Sequence, residues 1–338
     1  MDEIEDFDTL LAGMPRYGAP EWRAAALREL RGAALESIAV ELDEGLAVSP
    51  YAVPTPGRPV EFPPGRGLVL ADLHEAAELA EADLLTELEG GAQGLWLPED
   101  SGTLNPVDGI RFDYLTTVFP GAATALRCVP EPQRQGAGVW VPSNPERAAA
   151  TLTRLQRDFP GGAVVFELDS RGGPIHVVRA GMQVLRTALA VAPDPRALAD
   201  GAILRLPLRR EYPLSLVELQ AIKLAWRKVL LEVGVSEPLP PPRLWGTVPA
   251  SADGQTAEDS LIDASTRAVA AMTAGVEALS VAAYPGIDPV AARRRARNVA
   301  VVLQIEAGLA QGADVLAGAA WVERAATEVL ERSSEAVD

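Results

Sequence analysis

Short apolar runs alternate with longer segments of helical periodicity from Gly67 onward, and this alternation restricts the fold more than any other feature. The apolar runs predict eight strands, at residues 68–71, 94–97, 124–129, 139–141, 163–168, 203–208, 243–248 and 279–283. The periodic segments predict seven helices, at residues 73–89, 145–158, 177–192, 214–233, 258–275, 289–310 and 320–332. Strands that alternate with helices in this way predict a parallel α/β fold.

Two parallel architectures satisfy that alternation: a closed (β/α)8 barrel of the TIM type and an open, doubly wound sheet. Eight strands over roughly 270 residues favour the barrel. The pattern is least clear for the third and fourth strand–helix units, because residues 97–139 contain segments interrupted by Pro and Gly and no long helix. We therefore predict an α/β barrel over residues 67–338, either regular or trimmed in its third and fourth units.

Residues 1–66 have a different pattern and are predicted to form a helix and an extended arm. Apolar residues recur at helical spacing within residues 20–42. The following segment, residues 49–67, contains six prolines, which exclude regular secondary structure there.

Composition excludes several classes of protein. The chain carries 30 Lys and Arg against 47 Asp and Glu, a net charge of −17, so a basic surface for nucleic acid is not expected. Residues 1–10 are acidic and lack the features of a signal peptide, and no apolar run is long enough to cross a membrane, which predicts a cytoplasmic protein. One cysteine, Cys128, and two histidines, His74 and His176, cannot supply an internal disulfide or a Cys/His zinc site.

The two lysines, Lys223 and Lys228, also limit the chemistry. Neither belongs to a Gly-Lys-Ser/Thr phosphate loop. Both lie in the periodic segment 214–233, where we expect solvated cations on a helix face rather than a Schiff-base lysine.

A series of motifs near the C-terminus resembles one family. Residues 295–298 are Arg-Ala-Arg-Asn, residues 303–306 are Leu-Gln-Ile-Glu, and residues 314–323 run from an Asp through a Gly to Trp-Val-Glu. Their order and spacing resemble the end of the substrate barrel in methylmalonyl-CoA mutases. Residues 274–279, 221–232, 176–181 and 44–51 are similar to further motifs of that family, and residues 88–97 look most like its small, non-catalytic subunit. The resemblance implies an α/β barrel that binds an acyl-CoA along its axis.

Departures from the family pattern imply a loss of catalysis. The family's cobalamin domain contains Asp-x-His-x-x-Gly, whereas the only Asp-x-His here, at Asp72 and His74, lacks the glycine and lies far from the C-terminus. The family's substrate-facing tyrosine falls on Ala71, and its Thr-x-Gln-Asn-Asp motif has no counterpart near residues 139–144. We therefore expect no cobalamin domain and no cofactor on this chain, with adenosylcobalamin only on a partner.

Two residues become candidates for an acyl-CoA site through the resemblance. His176 matches the family histidine that donates a hydrogen bond to the substrate thioester, although a structural role is the alternative. Arg179 stands in place of the family's glutamate, where it would bind a carboxylate or phosphate or pair with a nearby acid.

The resemblance and the departures together predict a non-catalytic barrel that pairs with a catalytic mutase subunit or forms a homo-oligomer. The alternatives are an acyl-CoA isomerase that works with a separate cobalamin-binding subunit, and an orphan barrel that binds CoA-like ligands. Whether the chain is itself an enzyme stays open.

Overall fold

Eight parallel strands close into a barrel in the computed structural model of the chain, which describes residues 18–43, 45–49, 52, 60–74, 76, 80–98, 109–250, 255–284, 287–309 and 314–335. Two strands precede the barrel, β1 (Val40–Asp43) and β2 (Leu46–Val48), and the barrel strands are β3 (Leu68–Asp72), β4 (Gly94–Trp96), β5 (Thr116–Val118), β6 (Gly138–Pro142), β7 (Ala163–Glu167), β8 (Ala202–Pro207), β9 (Leu244–Val248) and β10 (Ala278–Val281). Strands β1 and β2 form an antiparallel hairpin. Strands β3 to β10 pair in sequence order, and β10 pairs with β3. The predicted TIM-type fold is confirmed.

Helices surround this barrel. They are α1 (Ala19–Glu29), α2 (Glu81–Glu89), α3 (Ala122–Cys128), α4 (Ala148–Asp158), α5 (Pro174–Ala190), α6 (Pro195–Asp200), α7 (Tyr212–Glu232), α8 (Ala257–Thr273), α9 (Pro289–Ile305) and α10 (Ala320–Ser334). Helix α2 starts later than the predicted residue 73, and residues 75 and 77–79 of that prediction lie outside the described residues.

One predicted strand is wrong. Residues 124–129 lie almost entirely in helix α3, and the third barrel strand is β5, a run of two threonines and a valine. Helix α3 buries Ala125 and Cys128, which are three residues apart and therefore share one helix face. The third and fourth units are short but not open, since β4 to β6 pair without a gap.

The barrel strands alternate between an inner and an outer set of side chains. Val69 of β3 and Leu204 of β8 belong to the large cluster that packs under the helices, whereas Leu70 and Ile203 belong to the cluster inside the barrel. Three tryptophans contribute to this inner cluster, with Trp140 and Trp245 buried and Trp96 packed against them. Side chains at inward positions near the carboxyl ends of the strands therefore surround one mouth of the barrel.

The N-terminal helix is shorter than predicted. It ends at Glu29 because Arg31 and Gly32 adopt left-handed backbone conformations, with φ of 50° and 99°. The hairpin then packs on helix α10, where Arg332 donates to the Gly45 carbonyl oxygen at 3.0 Å. Residues 60–67 have no regular structure, as the prolines predict. The rest of the proline-rich arm, residues 50, 51 and 53–59, lies outside the described residues, as does Glu44 of the arm motif.

The prediction of solvated lysines is wrong for Lys223. Its side chain is buried in α7, and Nζ donates to the Ala274 carbonyl oxygen at 2.5 Å. Desolvation lowers the pKa of this amine. Helix α7 packs against its neighbours α5, α8 and α10, so most of its circumference is covered.

Within the described residues, no helix combines the length and apolar character needed to span a bilayer.

Candidate functional site

A cavity of about 540 Å³ opens at the carboxyl ends of the barrel strands, and we call it the mouth cavity. Its size suits a small organic molecule. Its polar side chains are His74, Glu167 and Arg205, and its aromatic walls are Trp96, Phe119 and Trp245. This end of a TIM barrel is where ligand chemistry takes place in enzymes of this fold.

His74 lines the cavity and forms a close pair with Asp72, whose side chain is 6% exposed. Asp72 is the last residue of β3 and points inward, and its carboxyl Oδ1 lies 2.5 Å from Nδ1 of His74. The same oxygen accepts a weaker hydrogen bond from the His74 amide at 3.4 Å. A carboxylate oxygen accepts hydrogen bonds, so this contact favours the tautomer that carries the ring proton on Nδ1.

The His74 ring is held on its flat side as well. It stacks on the indole of Trp96, with 3.7 Å between ring centroids and 5° between planes. Trp96 lies beside Asp72 in the pairing of β3 with β4. The rings of Trp245 and Trp96 meet edge to face, with 80° between their planes and 4.8 Å between their centroids. A carboxylate at its edge and an aromatic ring on its face therefore restrain the orientation of the imidazole.

Arg205 extends from β8 over the same aromatic walls. Its guanidinium carbon lies 4.5 Å from the Trp96 ring centroid and 5.4 Å from that of Trp245. Glu167 is the neighbour of Arg205 in the pairing of β7 with β8, and their side chains form an ion pair. The two partners differ in exposure, since the side chain of Arg205 is 16% exposed and that of Glu167 is 66% exposed.

The mouth cavity thus combines an imidazole, a planar cation and aromatic surfaces. An imidazole paired with a carboxylate performs general acid or base catalysis, and a guanidinium binds anions. Among the described residues, no cluster of three or more His, Cys, Asp or Glu side chains could hold a metal ion.

The two residues predicted for an acyl-CoA site lie outside the mouth cavity. His176 is an exposed residue in the first turn of α5. Arg179 donates to the carbonyl oxygens of Arg332 and Ser333, at 2.8 and 3.3 Å, and thereby binds the end of helix α10. Their assignment to ligand binding stays a prediction, but the contacts of Arg179 are those of a structural residue.

The motifs that carry the mutase resemblance hold the barrel together. Arg297 is buried and donates to Glu87 at 2.6 Å, which ties α9 to α2. Asp314 accepts from the amide of Phe62 at 3.1 Å and so fastens the N-terminal arm. Ala71, aligned with the family's substrate-facing tyrosine, belongs to the outer cluster under the helices and does not face the barrel interior.

Four residues of the cavity lining were not predicted from the sequence: Trp96, Glu167, Arg205 and Trp245. A usable signal was present for two of them, because Glu167 and Arg205 are charged residues in strands that are otherwise apolar. A strand of a parallel barrel is covered on both faces, so a charge within it needs a partner and commonly marks a site.

Comparison with known proteins gives structural neighbours only, since the sequence matches no protein-family model and no curated protein. The Mycobacterium tuberculosis protein Rv1207 is 15% identical, covering 76% of this chain and 94% of its own, with a TM-score of 0.36. Dihydropteroate synthase from Thermus thermophilus is 17% identical, covering 71% and 94%, with a TM-score of 0.36. Plasmodium falciparum HPPK-DHPS is 11% identical, covering 73% and 50%, with a TM-score of 0.41. These similarities are too low to carry a function over to this chain.

The comparisons correct the prediction of a mutase barrel. The sequence matches no methylmalonyl-CoA mutase model or other family model, and the structural neighbours named above include dihydropteroate synthases and no mutase. The non-catalytic mutase subunit and its acyl-CoA and cobalamin alternatives are therefore wrong. The physical reason is that the motifs consist of charged and small residues that stabilise helix packing around the barrel. Such packing is required by the fold and is not specific to one reaction.

Proposed function

We propose that the protein is an enzyme that performs acid–base chemistry on a small organic molecule in the mouth cavity. The observation that carries this proposal is His74 on the cavity wall, with its Nδ1 held 2.5 Å from the carboxylate of Asp72. A histidine oriented by a carboxylate is a recurrent arrangement for proton transfer.

Each residue of the pair has a separate role. Asp72 keeps the proton of the neutral ring on Nδ1, so Nε2 is the atom that accepts a proton from the substrate. When Nε2 is protonated, the adjacent carboxylate stabilises the imidazolium. The stack on Trp96 keeps the ring in the plane in which this exchange takes place.

The remaining walls bind and orient the substrate. Trp96, Trp245 and Phe119 offer apolar surface that displaces water from the reacting groups. Arg205 supplies a fixed positive charge, which stabilises negative charge on a bound molecule. The predicted cytoplasmic location, homo-oligomer, absence of a nucleic-acid partner and absence of a cofactor on this chain stay predictions.

Turnover in a metabolite extract tests the proposal even though the substrate is not identified. Purified protein is incubated with the extract, and mass spectrometry follows which compounds are consumed and formed. The chain offers a matched control, because its only other histidine is the exposed His176. We expect a conversion that His74→Gln slows by about a hundredfold or more and that His176→Gln leaves unchanged. A conversion equally fast in His74→Gln, or none in any extract, would contradict the proposal.

A further inference from the structure

We propose that Arg205 binds a carboxylate of the substrate and that the mouth cavity is specific for a monoanionic organic acid. On binding, the substrate carboxylate takes the place of Glu167 on the guanidinium. This inference rests on the proposed function, because it names the substrate class of the same site.

The unequal exposure of the ion pair is the first reason. Arg205 lies mostly inside the barrel mouth, where a cation without an anion would be costly. Glu167 has two thirds of its side chain in solvent, so its carboxylate loses little when it leaves the pair. The cation is therefore permanent in the cavity, whereas its present counter-ion is exchangeable.

The aromatic contacts are the second reason. Trp96 and Trp245 lie 4.5 and 5.4 Å from the guanidinium carbon and restrict the positions that Arg205 can adopt. A guanidinium held in this way presents a planar fork of N–H donors, which matches the two oxygens of a carboxylate.

Charge balance indicates a single negative charge on the ligand. Arg205 is the only Lys or Arg among the described residues that line the cavity, and the one acidic side chain in that lining is Glu167, its ion-pair partner. A dianion such as a phosphate monoester would place two negative charges beside the Glu167 carboxylate, with one cation to balance them. A carboxylate satisfies Arg205 without that repulsion.

The other walls describe the body of the ligand. Pro98, Pro120, Pro142 and Phe119 line the space around the ion pair and offer no charged group. An apolar or aromatic body attached to the carboxylate would therefore be buried against them.

Two isosteric probes test this specificity. Phenylacetate and the neutral phenylacetamide have nearly the same shape, and their dissociation constants are measured by titration calorimetry. We expect the wild type to bind phenylacetate at least about tenfold more tightly than the amide, as a hydrogen-bonded charge pair contributes that much. Glu167→Gln removes the competing anion and should tighten phenylacetate binding several-fold, with little effect on the amide.

The variants of Arg205 decide whether the preference comes from this residue. Arg205→Met should abolish the preference for phenylacetate, and Arg205→Lys, which keeps the charge but not the fork, should reduce it. Arg171→Met is the matched control, because Arg171 is 91% exposed and outside the cavity. Phenyl phosphate should bind more weakly than phenylacetate. Circular dichroism and thermal unfolding establish that each variant is folded.

Several results would overturn the inference. They are equal binding of the two probes by the wild type, binding of neither probe, tighter binding of phenyl phosphate, and a preference that survives Arg205→Met in folded protein. His74→Gln separates this inference from the proposed function. If the preference for phenylacetate is present and turnover does not depend on His74, the proposed acid–base function fails and the anion specificity stands.

Discussion

Oδ1 of Asp72 lies 2.5 Å from Nδ1 of His74, and the two residues stand at the carboxyl end of one barrel strand. The aspartate is the last residue of β3, and the histidine follows two residues later, where the chain leaves the barrel. Because the neighbouring strand supplies Trp96 beside the aspartate, the histidine ring rests on an indole while the carboxylate holds its edge. This short stretch of chain therefore holds an imidazole ring in one orientation at the cavity.

Replacing Asp72 tests whether the carboxylate orients the histidine. In Asp72→Asn the side-chain amide can donate to Nδ1 as well as accept from it, so the ring loses its fixed tautomer. We expect kcat for the reaction found in extracts to fall by about 10²–10³, with little change in thermal stability. Asp169→Asn is the control, because Asp169 pairs with the exposed Arg171 outside the cavity. A fall of similar size in the control would contradict a specific role for Asp72.

Glu218 predicts a dependence of stability on pH. This carboxyl lies buried in α7, and burial raises its pKa from 4.5 to about 7 in spite of Arg209, whose Nε lies 2.5 Å away. The charge of Asp43 raises the pKa of Glu218 further. A carboxyl with a raised pKa in the folded state stabilises the fold below its unfolded pKa, and this contribution is lost as the pH rises through the folded pKa.

The variant Glu218→Gln isolates that contribution. It keeps a side chain that can accept from Arg209 but removes the titration. The free energy of unfolding of the wild type, minus that of Glu218→Gln, should fall by about 3 kcal/mol between about pH 4.5 and pH 8. Urea unfolding at a series of pH values measures this difference. A difference that is constant or rises with pH would contradict the burial of a titrating carboxyl at this position.

Gly90, directly after helix α2, lies close to Arg297 of helix α9 and so tests how tightly these two helices pack. A Cβ atom at this position would lie 2.1 Å from Cζ of Arg297, whose guanidinium pairs with buried Glu87. Gly90→Ala should therefore displace this ion pair and lower the free energy of unfolding by about 1–3 kcal/mol. Gly121→Ala is the matched control, since a Cβ there meets nothing within 4 Å. We expect the control to change stability by less than about 0.5 kcal/mol, and equal effects of the two substitutions would contradict the packing of Arg297.

The sequence predicted the architecture well because the strands of the barrel are short apolar runs separated by periodic helices. Seven of the eight predicted strands overlap barrel strands. The exception, residues 124–129, combines apolar side chains with helical spacing, and a segment of this length does not distinguish helix from strand. Lys223 was misjudged because its burial depends on which helices pack around α7, and helical periodicity does not contain that information.

The site was much harder to predict, because it depends on strand register. Glu167 and Arg205 are 38 positions apart in the chain and become neighbours only through the pairing of β7 with β8. Likewise, Trp245 reaches Trp96 across the barrel interior, and closure of the barrel brings them together. Asp72 and His74 are close in sequence, but their short spacing alone did not indicate a functional pair.

The mutase resemblance misled for a related reason. Its motifs at residues 295–298 and 314–323 include Arg297 and Asp314, which make contacts that fasten helices and arm to the barrel. Such contacts stabilise the fold and leave the mouth unconstrained. In enzymes of this fold, the residues that define a reaction lie at the carboxyl ends of the strands, away from these motifs.

The protonation state of the His74 ring is the most direct test of the central claim that Asp72 prepares His74 for proton exchange at Nε2. With two histidines in the chain, ¹⁵N spectra of the imidazole rings can be assigned from His74→Gln and His176→Gln. We predict that neutral His74 carries its proton on Nδ1 and has an unprotonated Nε2, and that Asp72→Asn abolishes this preference. Neutral His74 with its proton on Nε2, or a ring unaffected by Asp72→Asn, would contradict the account.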